Sequence, residues 1–345
     1  MKILLPFYDD TSLFFVARMK ELLKGKDIEC ISYYFKNGRQ EFDRISQRQM
    51  EAILPGGPDL IATSNELLSG EIEDYDAVIT CKVTAELRKL VDDSSYMMRR
   101  NRPYFVAFQP GLEFTPTVGV RNRKNFDIIF LNNEKDFVEF EPSLRRRDRP
   151  NYISWGHPYF LMPKSLKEDT GGDVYFFAQA VSPNTYNGRM HMAESLRAIA
   201  IANPNRKIII KLRNLPSENL NHVHKEDKSY MELFEDLWGQ PSNIVFSTCT
   251  MKEALEKSSI VITCTSTAAM DAVSAGIPTM VYTDYVEHYL DPKAKNMYKL
   301  FSESGIVTSL RSLLELDYQR PRKSWLKRNF SEDVLSELLN RISMK

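Results

Sequence analysis

The chain has 345 residues, 43% of them hydrophobic, enough for about two domains that each bury a core. Its 46 Lys and Arg balance 46 Asp and Glu, which removes any whole-chain attraction to nucleic acid or an anionic membrane and leaves an anion site to be local. The opening MKILLPFYDD turns polar too soon for a secretion signal and no apolar run of about 18 residues follows, so a cytoplasmic protein without a membrane span is expected.

In chain order, short apolar runs alternate with longer amphipathic ones. KILLPF at 2–7 predicts a strand, TSLFFVARMKELLK a helix, DIECISYYF at 27–35 a strand, and GRQEFDRISQRQMEAIL a long helix. The alternation continues with the strand DAVITCKV, the helix TAELRKLVDD, the strand PYFVAF, the loop QPGLEFTPTVG, the strand FDIIFL and a short helix near NEKDFVEF. This order predicts a Rossmann-like, doubly wound sheet.

Periodicity fails between Glu141 and Thr170, a stretch rich in Pro, Arg and Gly with one short strand candidate, NYISW. A domain boundary is expected there, giving domains of 1–160 and 161–345. A second alternating series follows: DVYFFAQA, the helix GRMHMAESLRAIAIAN, KIIIKL, the helix KSYMELFEDLWG, NIVFST, MKEALEKS, IVITCT, STAAMDAVSAG and PTMVYT. After Asp284 only helical patterns remain, which predicts a helical tail on a second doubly wound domain. No repeat of 20–50 residues and no low-complexity tract is present.

Ligands of open parallel sheets bind at the carboxyl ends of the strands, where helix N-termini present free amides. The strand IVITCT runs into Thr265, Ser266 and Thr267 at a predicted helix start, with Gly276 closing that helix and Pro278 opening the next strand. These hydroxyls suit a phosphate, and they equally suit an ordinary helix cap. Lys211 and Arg213, two residues apart in KIIIKLRN, bring positive charge to the same edge. The loop AQAVSPNTYNG adds Gln179, Ser182, Asn184 and Thr185, residue types that turns also use. Neither GxGxxG nor GxxxxGK[ST] occurs.

Two Rossmann-like halves, a linker, and the segment STAAMDAVSAGIPTMVYTD followed by helices that can fold back on the first half resemble a GT-B glycosyltransferase over nearly the whole chain. That segment is similar to the donor-site segment of bacterial surface-glycan transferases of the sialyl and polyol-phosphate type. The resemblance implies two domains facing a cleft, with the nucleotide sugar on the C-terminal domain and the acceptor on the N-terminal one. It implies that Ser266 and Thr267 hold the phosphates with help from Lys211 and Arg213. The expected donor is CMP- or UDP-linked and the expected acceptor a glycan or lipid-linked glycan. Retaining GT-B enzymes place two glutamates where this chain has Thr263 and Asp271, and the sugar-nucleotide 2-epimerases read TDSGGIQEEA where it has TCTSTAAMDA. An inverting transfer in surface polysaccharide synthesis is therefore expected. An epimerase or hydrolase of the same fold, or a non-catalytic nucleotide-sugar-binding protein, stands as the alternative.

Inverting transfer needs a group to take the acceptor proton. Asp9 and Asp10 after the first strand, Glu113 in the QPGLEFTPTVG loop and His157 in the linker are the candidates, with Asp10 also suited to cap the following helix. Glu113 leads, since Phe114 and Pro116 flank it and would desolvate it. The run RRRDR at 145–149 suits an acidic acceptor or peripheral contact with a membrane, and also plain solvation. Cys30, Cys81, Cys249 and Cys264 lie far apart and read as buried thiols, while His222 and His224 lack a third ligand. With no DxD-like pair at a strand end in the second half, neither a metal nor a cofactor is expected.

Overall fold

The computed structural model describes residues 1–36, 44–63, 72–111, 116–132, 152–155, 163, 165–180, 182–213, 226–237, 239–289, 298, 301, 303–323, 325 and 332–344. The chain divides into two compact units, the first holding Met1–Tyr159 together with Leu326–Lys345, and the second most of what lies between.

The first unit is built on seven parallel strands, β1 (Lys2–Phe7), β2 (Glu29–Phe35), β3 (Leu60–Ala62), β4 (Ala77–Thr80), β5 (Tyr104–Phe108), β6 (Ile128–Leu131) and β7 (Tyr152–Trp155), in the order β3-β2-β1-β4-β5-β6-β7. Its strands are apolar on both faces, as a sheet covered by helices on either side requires. Ile3, Leu5 and Phe7 of β1 point into one core with Val106, Phe108, Ile128 and Phe130. Leu4, Val78, Phe105, Ala107 and Ile129 point into the other. Helix α1 (Asp10–Leu23) covers the first face through Leu13, Phe15, Val16, Met19 and Leu23. The helices α2 (Gln47–Ile53), α3 (Ala85–Asp92), α4 (Ser94–Met97) and α5 (Pro116–Arg123) complete this half.

The second unit has six strands, β8 (Val174–Phe177), β9 (Ile208–Lys211), β10 (Ile244–Ser247), β11 (Ile260–Thr263), β12 (Thr279–Tyr282) and β13 (Val307–Thr308), ordered β10-β9-β8-β11-β12-β13 and parallel throughout. Its helices are α6 (Tyr186–Ala202), α7 (Tyr230–Asp236), α8 (Met251–Lys257), α9 (Ala268–Ser274), α10 (Asp284–Tyr289) and α11 (Leu310–Glu315). Val174, Phe176, Ile208, Ile210, Ile260 and Ile262 pack with Met192, Leu196 and Ile199 of α6. Tyr175, Phe177, Ile209 and Val261 pack on the opposite face with Ala254, Ala268 and Ala272.

The final helix, α12 (Glu332–Ser343), packs with the first unit: Val334, Leu335, Leu338 and Ile342 form one stripe that enters the β1 and α1 core. Burying each such side chain stabilises that core by about 1.5–3 kcal/mol. The strand candidate NYISW is β7, paired with β6 from Ile128↔Tyr152 to Leu131↔Trp155. After Asp284 the chain is not wholly helical, since β13 adds an edge strand too short for any period to show. The long helix expected from 38 to 54 is described as helix only over Gln47–Ile53, started by Ser46, whose hydroxyl accepts from Gln49 N. The helix expected near NEKDFVEF lies outside the described residues.

Candidate functional site

Each sheet reverses its winding once, between β1 and β4 in the first unit and between β8 and β11 in the second. At such a switch point two loops leave the carboxyl edge in opposite directions and open a crevice.

In the second unit this place is knitted by buried polar groups. Ser182, in the loop after β8, has its Oγ 2.6 Å from Thr265 Oγ1, in the loop after β11, and 2.6 Å from Tyr285 Oη of α10. All three residues are fully buried. Gln179 Nε2 donates to the Thr265 carbonyl over 3.1 Å, and Arg189 Nη1 of α6 donates to the Gln179 carbonyl over 2.9 Å. The two loops are thereby held as one surface.

The hydroxyl run divides by role. Thr265 is turned into the tether, and Ser266 Oγ, also buried, accepts from Ala268 N at 3.1 Å and so caps its own turn. Thr267 is half-buried at the cap position of α9 and makes no side-chain capping bond. The helix ends as its sequence suggests. Gly276 at φ 74° takes the left-handed conformation, Gly276 N donates to Val273 O and Ile277 N to Ala272 O, the paired bonds of a Schellman close. A Cβ at Gly276 would also lie 3.1 Å from Ser165 O.

Lys211 ends β9, and both it and Arg213 are half-buried beside this edge. Glu226 and Arg189 form an ion pair of 3.4 Å, with both side chains almost fully buried. Burial pushes the Glu226 carboxyl up against the opposing pull of Arg189 and then Arg213, which places Arg213 within electrostatic reach of it. The Arg189 guanidinium sits 4.8 Å from the Tyr230 ring centroid. Arg189 Nε, Tyr230 Oη and Gln179 Oε1 are buried without hydrogen-bond partners among the described residues. One turn into α9, Asp271 is half-buried, and desolvation pushes its carboxyl up to about 7.

In the first unit the switch point carries an ion pair. Asp9, not Asp10, caps α1: its extended backbone lets Oδ1 accept from Ser12 N at 2.9 Å and Ser12 Oγ at 2.6 Å, while Ser12 Oγ accepts from Asp9 N. Its other oxygen meets Lys82 Nζ, after β4, at 3.3 Å. Burial works against the Lys82 charge, yet Asp9, Tyr8 and Cys81 together offset that and hold the ammonium above its usual range. Asp10 instead opens the helix and accepts from Thr11 N at 2.9 Å. Further along this edge, Gln109 Oε1 accepts from Asn132 N at 3.0 Å and Asn132 Nδ2 donates to Gly111 O at 3.1 Å. These bonds fix the backbone at Gly111. Glu113 and His157 themselves lie outside the described residues, as do His222, His224 and the RRRDR run.

Sequence reasoning missed Lys82 and Arg189. A signal existed for Arg189, a charge that shares one helix face with Met192, Ala193 and Leu196 at i+3, i+4 and i+7. None existed for Lys82, which only the pairing of β1 with β4 brings to Asp9.

The sequence matches the family model described as "Putative glycosyltransferase (DUF6716)" over residues 41–344. The chain belongs to this family. No curated protein matches it in sequence. In structure it is similar to the UDP-GlcNAc 2-epimerase of Methanocaldococcus jannaschii in complex with UDP-GlcNAc and UDP, at 12% identity and TM-score 0.61, covering 99% of this chain and 100% of the other. It is also similar to Phytolacca americana UGT2 complexed with UDP-2fluoro-glucose and pterostilbene, at 12% identity and TM-score 0.56, covering 99% of both chains. The family's fold is thus the two-domain, Rossmann-like GT-B type. Among the described residues no helix is long and apolar enough to cross a membrane.

Proposed function

We propose that this glycosyltransferase family member takes its sugar from a nucleotide-activated donor, held at the switch point of the second sheet, and passes it to a glycan or lipid-linked acceptor in surface polysaccharide synthesis. The observation that carries the reading is the cross-tied pair of loops after β8 and β11, with Thr267 half-buried at their edge and Lys211 and Arg213 at the neighbouring strand end. A preorganised set of donors beside two cations suits a diphosphate, whose charge grows as it leaves the sugar. The structures of similar fold named above are complexes with UDP or UDP-sugars, which favours uridine, with cytidine second.

In the inverting reaction assigned here, the acceptor hydroxyl loses its proton to a base as its oxygen bonds the anomeric carbon, and the nucleotide phosphate departs with the electron pair of the broken C–O bond. Glu113 is the proposed base. In sequence it comes two residues after Gly111, whose carbonyl Asn132 holds. Asp9 is unsuited, since both its oxygens are engaged.

Calorimetry with UDP, CDP, GDP and CMP tests the donor. One nucleotide should bind, and Lys211→Ala or Arg213→Ala should weaken it by about 1–3 kcal/mol, the worth of a charge-assisted hydrogen bond. Unchanged affinity in both variants would remove these cations from the site. Product formed from the nucleotide sugar with no acceptor present would identify an epimerase or hydrolase instead.

A further inference from the structure

The Lys82 side chain is the least explained charge in the first unit. Asp9 needs no cation to cap α1, because Ser12 already satisfies the capping box. Among the described residues the Lys82 ammonium meets one carboxylate oxygen, at 3.3 Å, and its side chain keeps 27% exposure. An ammonium has three donors, so further acceptors can be seated. Beside it stands Tyr8, half-buried, with the Arg44 guanidinium 5.2 Å from its ring centroid. A guanidinium held over a ring by cation–π attraction keeps N–H donors able to bind a planar or tetrahedral oxyanion. The parallel register of β1 on β4, Leu4↔Val78, carried along both strands sets Tyr8 beside Lys82, and the Tyr8 phenol feels Asp9, Lys82 and Arg44 together. Two cations against one carboxylate give these three side chains a net positive charge, with Asp9 and Lys82 following β1 and β4 where this sheet reverses.

We infer that Lys82 and Arg44, flanking Tyr8, form a subsite for a monoanionic oxyanion, a carboxylate or a phosphodiester, carried by the acceptor. The inference rests on the glycosyltransferase reading for the word acceptor, while the anion subsite itself stands on the cluster. One charge on the ligand neutralises the cluster, whereas a neutral sugar would leave it uncompensated.

The test titrates the full chain at low ionic strength with sodium glucuronate, sodium dimethyl phosphate and neutral methyl glucoside, followed by ligand-observed NMR, with UDP titrated into the same samples. At least one anion should bind and the glucoside should not. Lys82→Met and Arg44→Gln should each lower anion affinity about tenfold, the loss of one charge-assisted contact, and leave UDP affinity unchanged. Preference between the two anions tells a uronic acid from a phosphodiester-linked acceptor. Should Lys82→Met fail to fold, Arg44→Gln, which leaves the Asp9–Lys82 pair in place, decides alone. Anion affinity equal in Arg44→Gln and parent, or equal binding of anion and glucoside, overturns the subsite. Anion binding without any nucleotide binding would instead preserve the subsite and defeat the nucleotide-sugar reading.

Discussion

Ser182 Oγ and Thr265 Oγ1 lie 2.6 Å apart across the winding reversal of the second sheet, although 83 residues separate them in the chain. With Tyr285 Oη they make a buried hydroxyl cluster that ties the loops after β8 and β11. Ser182→Ala removes the hydroxyl that Thr265 and Tyr285 share, and their own contact is the longer one, 3.5 Å. The variant should lose about 1–2 kcal/mol of stability in urea unfolding, the cost of removing one partner from a buried hydrogen bond. Nucleotide affinity should fall with it. A fully stable Ser182→Ala would mean that backbone, not hydroxyls, holds these loops.

Asp9 and Asp10 should separate cleanly. Asp9→Asn keeps a good capping side chain but removes the charge that pairs with Lys82, and should cost about 1–3 kcal/mol given the partial exposure of Lys82. Asp10→Asn keeps the side-chain oxygen that accepts from Thr11 N, and thermal unfolding should move by no more than about 0.5 kcal/mol. Equal losses in both variants would count against the assignment of the cap and pair to Asp9.

Asp271 gives the second unit a pH signature. Desolvation raises its carboxyl from 3.8 to about 7 in the folded chain. Between those values the folded state holds a proton that the unfolded state has released, so this residue's contribution to stability falls as pH rises from about 4 to 7. Asp271→Asn should therefore gain in melting temperature over the parent at pH 7 and match it near pH 4. A constant difference at every pH would show that the acid is already charged throughout.

Leu338 tests the membership of the last helix. It is buried in the core of β1 and α1, so Leu338→Ala should cost about 2–5 kcal/mol. Hydrogen exchange should quicken in β1, β2 and α1 while β8 and β11 stay protected. Loss of protection in the second unit alone would return the helix to that unit.

The sequence by itself determined the two doubly wound halves, because strands buried on both faces are near-continuous apolar runs and their helices keep a 3.6-residue stripe. It also placed Gln179, Ser182, Lys211 and the run from Thr265 to Thr267 near one sheet edge, since each follows a strand that could be read locally. Only the tertiary structure decided which of these groups are spent inside. Thr265 and Thr267 look alike in sequence, yet one is fully buried against Ser182 and the other is not. Likewise β13 and β3, with two and three residues, are strands only because a neighbour supplies their hydrogen bonds. The stripe on α12 is legible as amphipathic but names no partner, and the first core, not the adjacent second one, takes it. Lys82 reaches Asp9, 73 positions earlier in the chain, because β4 pairs with β1, and strand order is a property of the assembled sheet that no local pattern carries.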